Sequence, residues 1–229
     1  MAAHLRENLP PQKAANVCAN VAAGLEADPI TQDLAPLWTA LTAKGDAIAV
    51  QSLQHERKLG KARAVITVVD AHWDDDIGDF ARDVLAESKG KRDEPPNSRF
   101  FGKTTGSEAQ EFGVAREVSQ GRAWLLELQR DPAEPLALKW TPVLTASTDA
   151  LEGANKGRDV ALGASAMHST TEILYVEEIN IEIDKLEGEL KKRFPRQPKR
   201  VAAFLAPTRL RKSEKSSKED GEDEGKGEG

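Results

Sequence analysis

Apolar residues recur at seven-residue intervals over much of this chain, in two neighbouring rows. One row reads Leu34, Leu41, Ile48, His55, Ala62, Val69, and the other Trp38, Gly45, Ser52, Leu59, Ile66, Trp73, Phe80. Adjacent rows with that spacing form the seam of a coiled coil. They predict one long helix from near Asp33 to about residue 88. Towards its end the stripe slips by one position, to Ile77 and Val84. A helix with 3.6 residues per turn drifts in this way against a seven-residue repeat. Pro36 falls in the first turn, where proline is tolerated. Gly45 and Gly60 each cost about 1 kcal/mol against alanine, and a bend or break is expected at one of them. Ahead of this helix, Ala14, Val17, Cys18, Val21, Ala22 and Leu25 lie three and four apart and predict a short amphipathic helix over 12–27. Asp28-Pro29 stops it, because a proline pushes the preceding residue out of helical geometry.

The same order then recurs. From Ser88 to Gly106 the chain is rich in Gly, Pro and Lys, with Phe100-Phe101 as the apolar anchor of a loop. Ser107 is the expected N-cap of a second short helix, with Phe112, Ala115, Val118, Leu125 and Leu128 on its face. Asp131-Pro132 ends it. A second long helix follows over about 136–193. Its rows are Leu144, Leu151, Arg158, Ser165, Glu172, Ile179, Leu186 and Trp140, Ser147, Ala154, Ala161, His168, Tyr175. Pro195 and Pro198 terminate it.

An ungapped shift of 103 residues superposes the two halves. Asp28-Pro29 falls on Asp131-Pro132, Leu41-Thr42-Ala43 on Leu144-Thr145-Ala146, Asp46-Ala47 on Asp149-Ala150, and Leu59-Gly60 on Leu162-Gly163. With Thr67 on Thr170, ten of the forty positions from Asp28 to Thr67 are identical, which argues for duplication of one helical unit. The expected fold is all-α: an elongated four-helix-type bundle made from two related helical hairpins, each a short helix followed by a long one. It forms a single bundle over 1–198, with repeat halves at 11–88 and 107–193. A basic and apolar segment follows at 199–211. The charged tail over 212–229 has no large apolar residue to repay ordering and is expected to be disordered.

Composition narrows the function classes. Aromatic residues are only 5% of the chain, too few for an ordinary sandwich or barrel. One cysteine, Cys18, rules out an internal disulfide, and its place on an apolar helix face makes it a small buried side chain. The N-terminus lacks the apolar run of a signal peptide and no stretch approaches a bilayer span, so a cytoplasmic setting is expected. The net charge of −6 weighs against a general nucleic-acid binder.

Four places could carry chemistry. His55, Arg158, His168 and Glu172 occupy seam positions that should be apolar, and together could line a polar pocket for a ligand or for acid–base work. His72, Asp76 and Asp79 share one helix face within an acidic run, with Glu177, Glu178 and Glu182 in the other half; the Glu-x-x-His pairs of carboxylate-bridged metal bundles are missing, and a solvated face is the expected reading, with no metal. Lys and Arg between 191 and 212 could hold a phosphate backbone, or could complement the helix C-terminus. Val201, Phe204 and Leu205 could dock on the bundle or be captured by a partner. Phosphate-binding, dinucleotide and nucleophile-elbow motifs are absent, and no cofactor is expected.

The expectation is therefore a non-enzymatic helical interaction or scaffold protein with a protein partner. Self-association follows if the long helices leave an apolar stripe uncovered. A ligand-binding or enzymatic bundle using the polar seam is the first alternative. Nucleic-acid binding through 191–212 is the second.

Overall fold

A computed structural model describes residues 3–209. The tail over 212–229 and the end of the basic segment lie outside these residues. Among the described residues all regular structure is helical: α1 (Pro11–Glu26), α2 (Ala35–Glu87), α3 (Asn97–Phe100), α4 (Gly106–Ala109), α5 (Val114–Leu128), α6 (Pro135–Arg193) and α7 (Pro198–Phe204), with 3-10 turns at Gln32–Leu34 and Ala206–Thr208. The all-α class and the two long helices match the seven-residue pattern. No helix of the described residues is long and apolar enough to cross a membrane.

The second short helix starts later than its sequence suggested. Thr105, not Ser107, is the N-cap, and it caps only the one-turn helix α4 in a capping box with Glu108. Ser107 lies inside that turn, and α5 begins at Val114. Its buried face also differs: Glu117, Gly121, Trp124, Leu125 and Leu128 point inward while Ala115 is exposed. Spacings of four, three and four put Glu117 in line with Trp124 and Leu128.

The chain forms two compact units. The first combines residues 1–49 with 172–229, and the second is 50–171. The first thus holds α1, the opening of α2, the end of α6, and α7. Its core joins Val17, Cys18 and Leu25 of α1, Trp38 and Leu41 of α2, and Tyr175, Ile179 and Ile183 of α6. The N-terminal segment is clamped by Asn180, which accepts from the Leu5 N–H at 2.7 Å and donates to the Leu5 carbonyl at 3.0 Å.

The α2 helix runs unbroken through Gly45 and Gly60. Gly45 is kept helical by what fills its missing side chain. The Tyr175 ring lies against its Cα together with Ala15, and the Tyr175 hydroxyl donates to the Leu41 carbonyl at 2.9 Å. A side chain at 45 would occupy the place of the tyrosine hydroxyl.

The second unit packs α5, the later part of α2 and the opening of α6 around Phe80. Phe100, Phe101, Trp124 and Trp140 surround that ring at 5.2–5.7 Å between centroids. The Phe100-Phe101 loop is thereby fixed, and the Trp124 Nε1–H donates to the Phe100 carbonyl at 2.7 Å. Gly121 lets α5 approach α6, since a Cβ there would collide with the side chain of Thr148.

Candidate functional site

The polar seam divides on inspection. His55 and His168 stack, with ring centroids 4.7 Å apart and planes 24° apart. The ring of His168 is buried, and its Nε2 lies 3.0 Å from Ser52 Oγ. Arg158 does not join them. Its guanidinium donates to Asn155 Oδ1 at 2.7 Å and pairs with Asp159 at 3.2 Å, both on its own helix. Glu172 is half-buried and belongs to the first unit. Within the second unit the two histidines meet, and the arginine is satisfied on its own helix. Small neighbours let the rings stack, for Ala161, Ala164 and Ser165 flank this part of α6.

The acidic run of α2 turns partly inward. His72 and Asp79 are exposed, and Asp79 pairs with Arg82 one turn on. Glu178 pairs with Lys44 and Glu182 with Lys185, while Glu177 is exposed. Asp70 and Asp74 instead face α5, where Glu117 is 2% exposed. Burial pushes the Glu117 carboxyl up to about 8, reinforced by its hydrogen bond with Asp70 and by the charges of Asp70 and Asp74. Burial likewise raises Asp74, with Asp70 and Asp75 adding to it. A buried carboxyl beside other carboxylates holds its proton more tightly, so Glu117 favours its neutral form. The Trp73 Nε1–H is buried beside them on α2 and finds no hydrogen-bond acceptor among the described residues. No group of three His, Cys, Asp or Glu among the described residues is placed to hold a metal ion.

Sequence reasoning passed over Glu117. The signal was its register with Trp124 and Leu128, four, three and four residues along one face. An acid in such a row is buried and must be neutralised or paired.

Much of the basic segment is engaged within the first unit. Arg193 makes a bidentate pair with Asp33 and donates to the Ile30 carbonyl at 2.6 Å. Arg200 pairs with Asp28 at 2.5 Å and lies over the Phe194 ring at 4.1 Å. Lys191 and Lys192 pair with Glu187 and Glu189. Val201 and Leu205 are buried in the core, and Phe204 stacks on Phe194 at 5.8 Å. The apolar segment thus docks on its own unit, with Val201 and Leu205 buried and Phe204 half-buried. Proline at 198 starts α7 and folds it back, which gives Val201 and Leu205 the same inward face.

Cys18 is fully buried against Tyr175. Burial pushes its thiol up to about 11, against the lowering effect of the tyrosine hydroxyl. A thiol so held has almost no thiolate at neutral pH and is a poor nucleophile.

The outer face of α6 has a different character. Val160, Met167, Leu174 and Ile181 recur every seventh residue and are 73, 77, 57 and 55% exposed. The outer face of α2 exposes Val50 and Val68 as well, but Arg57 and Lys61 interrupt it. Comparison with protein-family models, with curated proteins and with solved structures returned no match.

Proposed function

We propose that this chain is a non-enzymatic helical interaction protein that binds a protein partner along the outer face of α6. The observation that carries this reading lies in the second unit, where Val160 and Met167, seven residues apart on α6, are 73 and 77% exposed. The seam supports no competing chemistry as well as this, because Arg158 is engaged on its own helix and the one thiol is buried.

Duplication of a helical hairpin belongs to the same proposal. Its support is that burial repeats at the 103-residue shift. In α1 the buried residues Ala14, Cys18, Val21, Ala22 and Leu25 correspond to the buried Glu117, Gly121, Trp124, Leu125 and Leu128 of α5. Leu41, Gly45 and Ile48 correspond in the same way to Leu144, Thr148 and Leu151. Each unit then amounts to one short helix, the opening of the long helix after it, and the end of the other long helix. A cytoplasmic setting fits the single reduced thiol.

Hydroxyl-radical footprinting tests the interaction reading. Met167 is oxidised readily when exposed, and at 77% exposure it reports directly on whether this face is covered. In native extract its labelling should fall several-fold below that of dilute purified protein. Equal labelling in both would refute the reading.

A further inference from the structure

We infer that the second unit holds a binding site for a small phosphomonoester, a phosphate group on a short organic chain. The site is the cleft between α2 and the connector that follows it. It is separate from the apolar face of α6 and does not depend on it.

The cleft has a volume of about 220 Å³. At about 30 Å³ per water molecule it has room for roughly seven. That is below the roughly 300 Å³ at which sites for drug-sized ligands begin. A phosphate carrying a few carbons fills such a space, and a nucleotide is too large for it. Gly78, Ala81, Arg82 and Leu85 form the α2 wall, and Arg92, Asn97 and Phe101 belong to the connector wall. Both walls lie within 50–171.

Buried groups fix the connector wall. Asn97 is 7% exposed; its side-chain amide donates to the Arg92 carbonyl at 2.9 Å, and its backbone N–H donates to Ser88 Oγ at 2.8 Å. Phe101 is buried against the Phe80 ring. Gly106 brings the connector hard against α2, since a Cβ there would collide with Ala81. A wall tied down in this way loses little further freedom when a ligand enters.

The unspent groups of the cleft are hydrogen-bond donors. Two guanidinium groups and, among the described residues, no carboxylate line it. The connector from Ser88 to Gly106 carries five Lys or Arg against two acids, in a chain whose net charge is −6. Lys91 is paired with Glu94 at 2.8 Å and Arg99 with Glu134 at 2.6 Å, whereas Arg92 makes no ion pair among the described residues. The Glu108 carboxyl lies below its usual range, chiefly through the Thr105 N–H and hydroxyl, with the nearby Arg92 charge adding. Arg82 pairs with Asp79 through Nη2 and donates from Nε to the Gly78 carbonyl at 3.4 Å, which leaves Nη1 uncommitted among the described residues. The Thr104 and Ser107 hydroxyls line the same cleft and make no hydrogen bond among the described residues. Guanidinium forks match the oxygens of carboxylate and phosphate alike. A carboxylate offers two oxygens and one charge, while a phosphomonoester offers three terminal oxygens and nearly two charges. Two guanidinium groups with two free hydroxyls fit the phosphate.

The test titrates the full-length chain with glycerol 3-phosphate at low ionic strength, followed by calorimetry. One site per chain is expected, with inorganic phosphate bound several-fold more weakly and glycerol not bound. Arg92→Gln should weaken binding by ~10-fold or more, the loss that goes with a charge-assisted hydrogen bond. Glu108→Gln keeps the capping box, removes a neighbouring negative charge, and should tighten binding several-fold. Both side chains are exposed, so the circular dichroism of either variant should match the parent. No saturation by about 10 mM glycerol 3-phosphate overturns the inference, being weaker than any useful site. Binding undiminished in Arg92→Gln, or inorganic phosphate bound as tightly as the ester, also overturns it. Vesicles of phosphatidic acid present the same group on a lipid surface. Arg92-dependent sedimentation with them, without binding of glycerol 3-phosphate, would assign the cleft to a membrane and overturn the small-molecule reading. Met167 labelling is indifferent to all these outcomes, so the α6 reading stands or falls on its own.

Discussion

Replacing Glu117 with glutamine should stabilise the protein, and the gain should depend on pH. Glu117 is almost fully buried between α5 and the Asp70–Asp74 turn of α2, and its carboxyl is pushed up to about 8 from an ordinary 4.5. A carboxyl that holds its proton more tightly folded than unfolded contributes most at low pH, and that contribution is lost as pH rises from about 4.5 through about 8. Each pH unit inside this window is worth about 1.4 kcal/mol, so at pH 7 the folded protein carries a penalty of up to about 3 kcal/mol. Asp70 and Asp74 are only half-buried, and solvent screening brings the figure to about 2 kcal/mol. A glutamine amide keeps the shape and can donate to Asp70 without needing a proton. At pH 8 Glu117→Gln should therefore move the urea midpoint up by ~1 M, for a slope of about 2 kcal/mol/M. Below pH 4.5 the two proteins should converge. Tryptophan fluorescence is the natural readout, because Trp73, Trp124 and Trp140 all lie in this unit. A gain of equal size at pH 4.5 and pH 8, or a loss at pH 8, would refute the reasoning.

The two helical glycines should respond in opposite directions. Gly45→Ala drives a methyl group into Tyr175 and Ala15 and should cost about 2–3 kcal/mol in chemical denaturation, outweighing the helix-propensity gain. Gly60→Ala meets nothing within 4 Å and should instead stabilise by about 0.5–1 kcal/mol. Cys18 should resist a thiol reagent at pH 8 in the folded protein and react at once in denaturant; fast labelling of the native state would contradict a thiol held near 11.

The helices were legible because a long seven-residue period is a strong signal, and α2 and α6 begin and end within two residues of the expected limits. Proline explains the accuracy at Pro29, Pro132 and Pro195. The glycines misled because propensity is a local quantity: nothing near Gly45 in sequence announces Tyr175, 130 positions away. Ser107 misled for a related reason. A good capping residue says that a helix can start, but Thr105 two residues earlier closes the capping box with Glu108, and the Gln110 amide that could have served Ser107 donates to the Asp74 carbonyl. The seam histidines were found from their register, but whether Arg158 would join them depended on Asn155 and Asp159 beside it. Ala115 and Val118 suggest one face for α5, whereas the structure turns Glu117, Gly121 and Trp124 inward.

The second unit is one uninterrupted stretch of chain, 50–171, whereas the first must gather 1–49 and 172–209 from either side of it. A ribosome therefore delivers everything the second unit contains before it has delivered all of the first. Leu25 and Leu41 wait for Tyr175 and Ile183, which emerge more than a hundred residues later. Until that part of α6 is made, the apolar faces of α1 and of the opening of α2 lack the helix that covers them in the first unit.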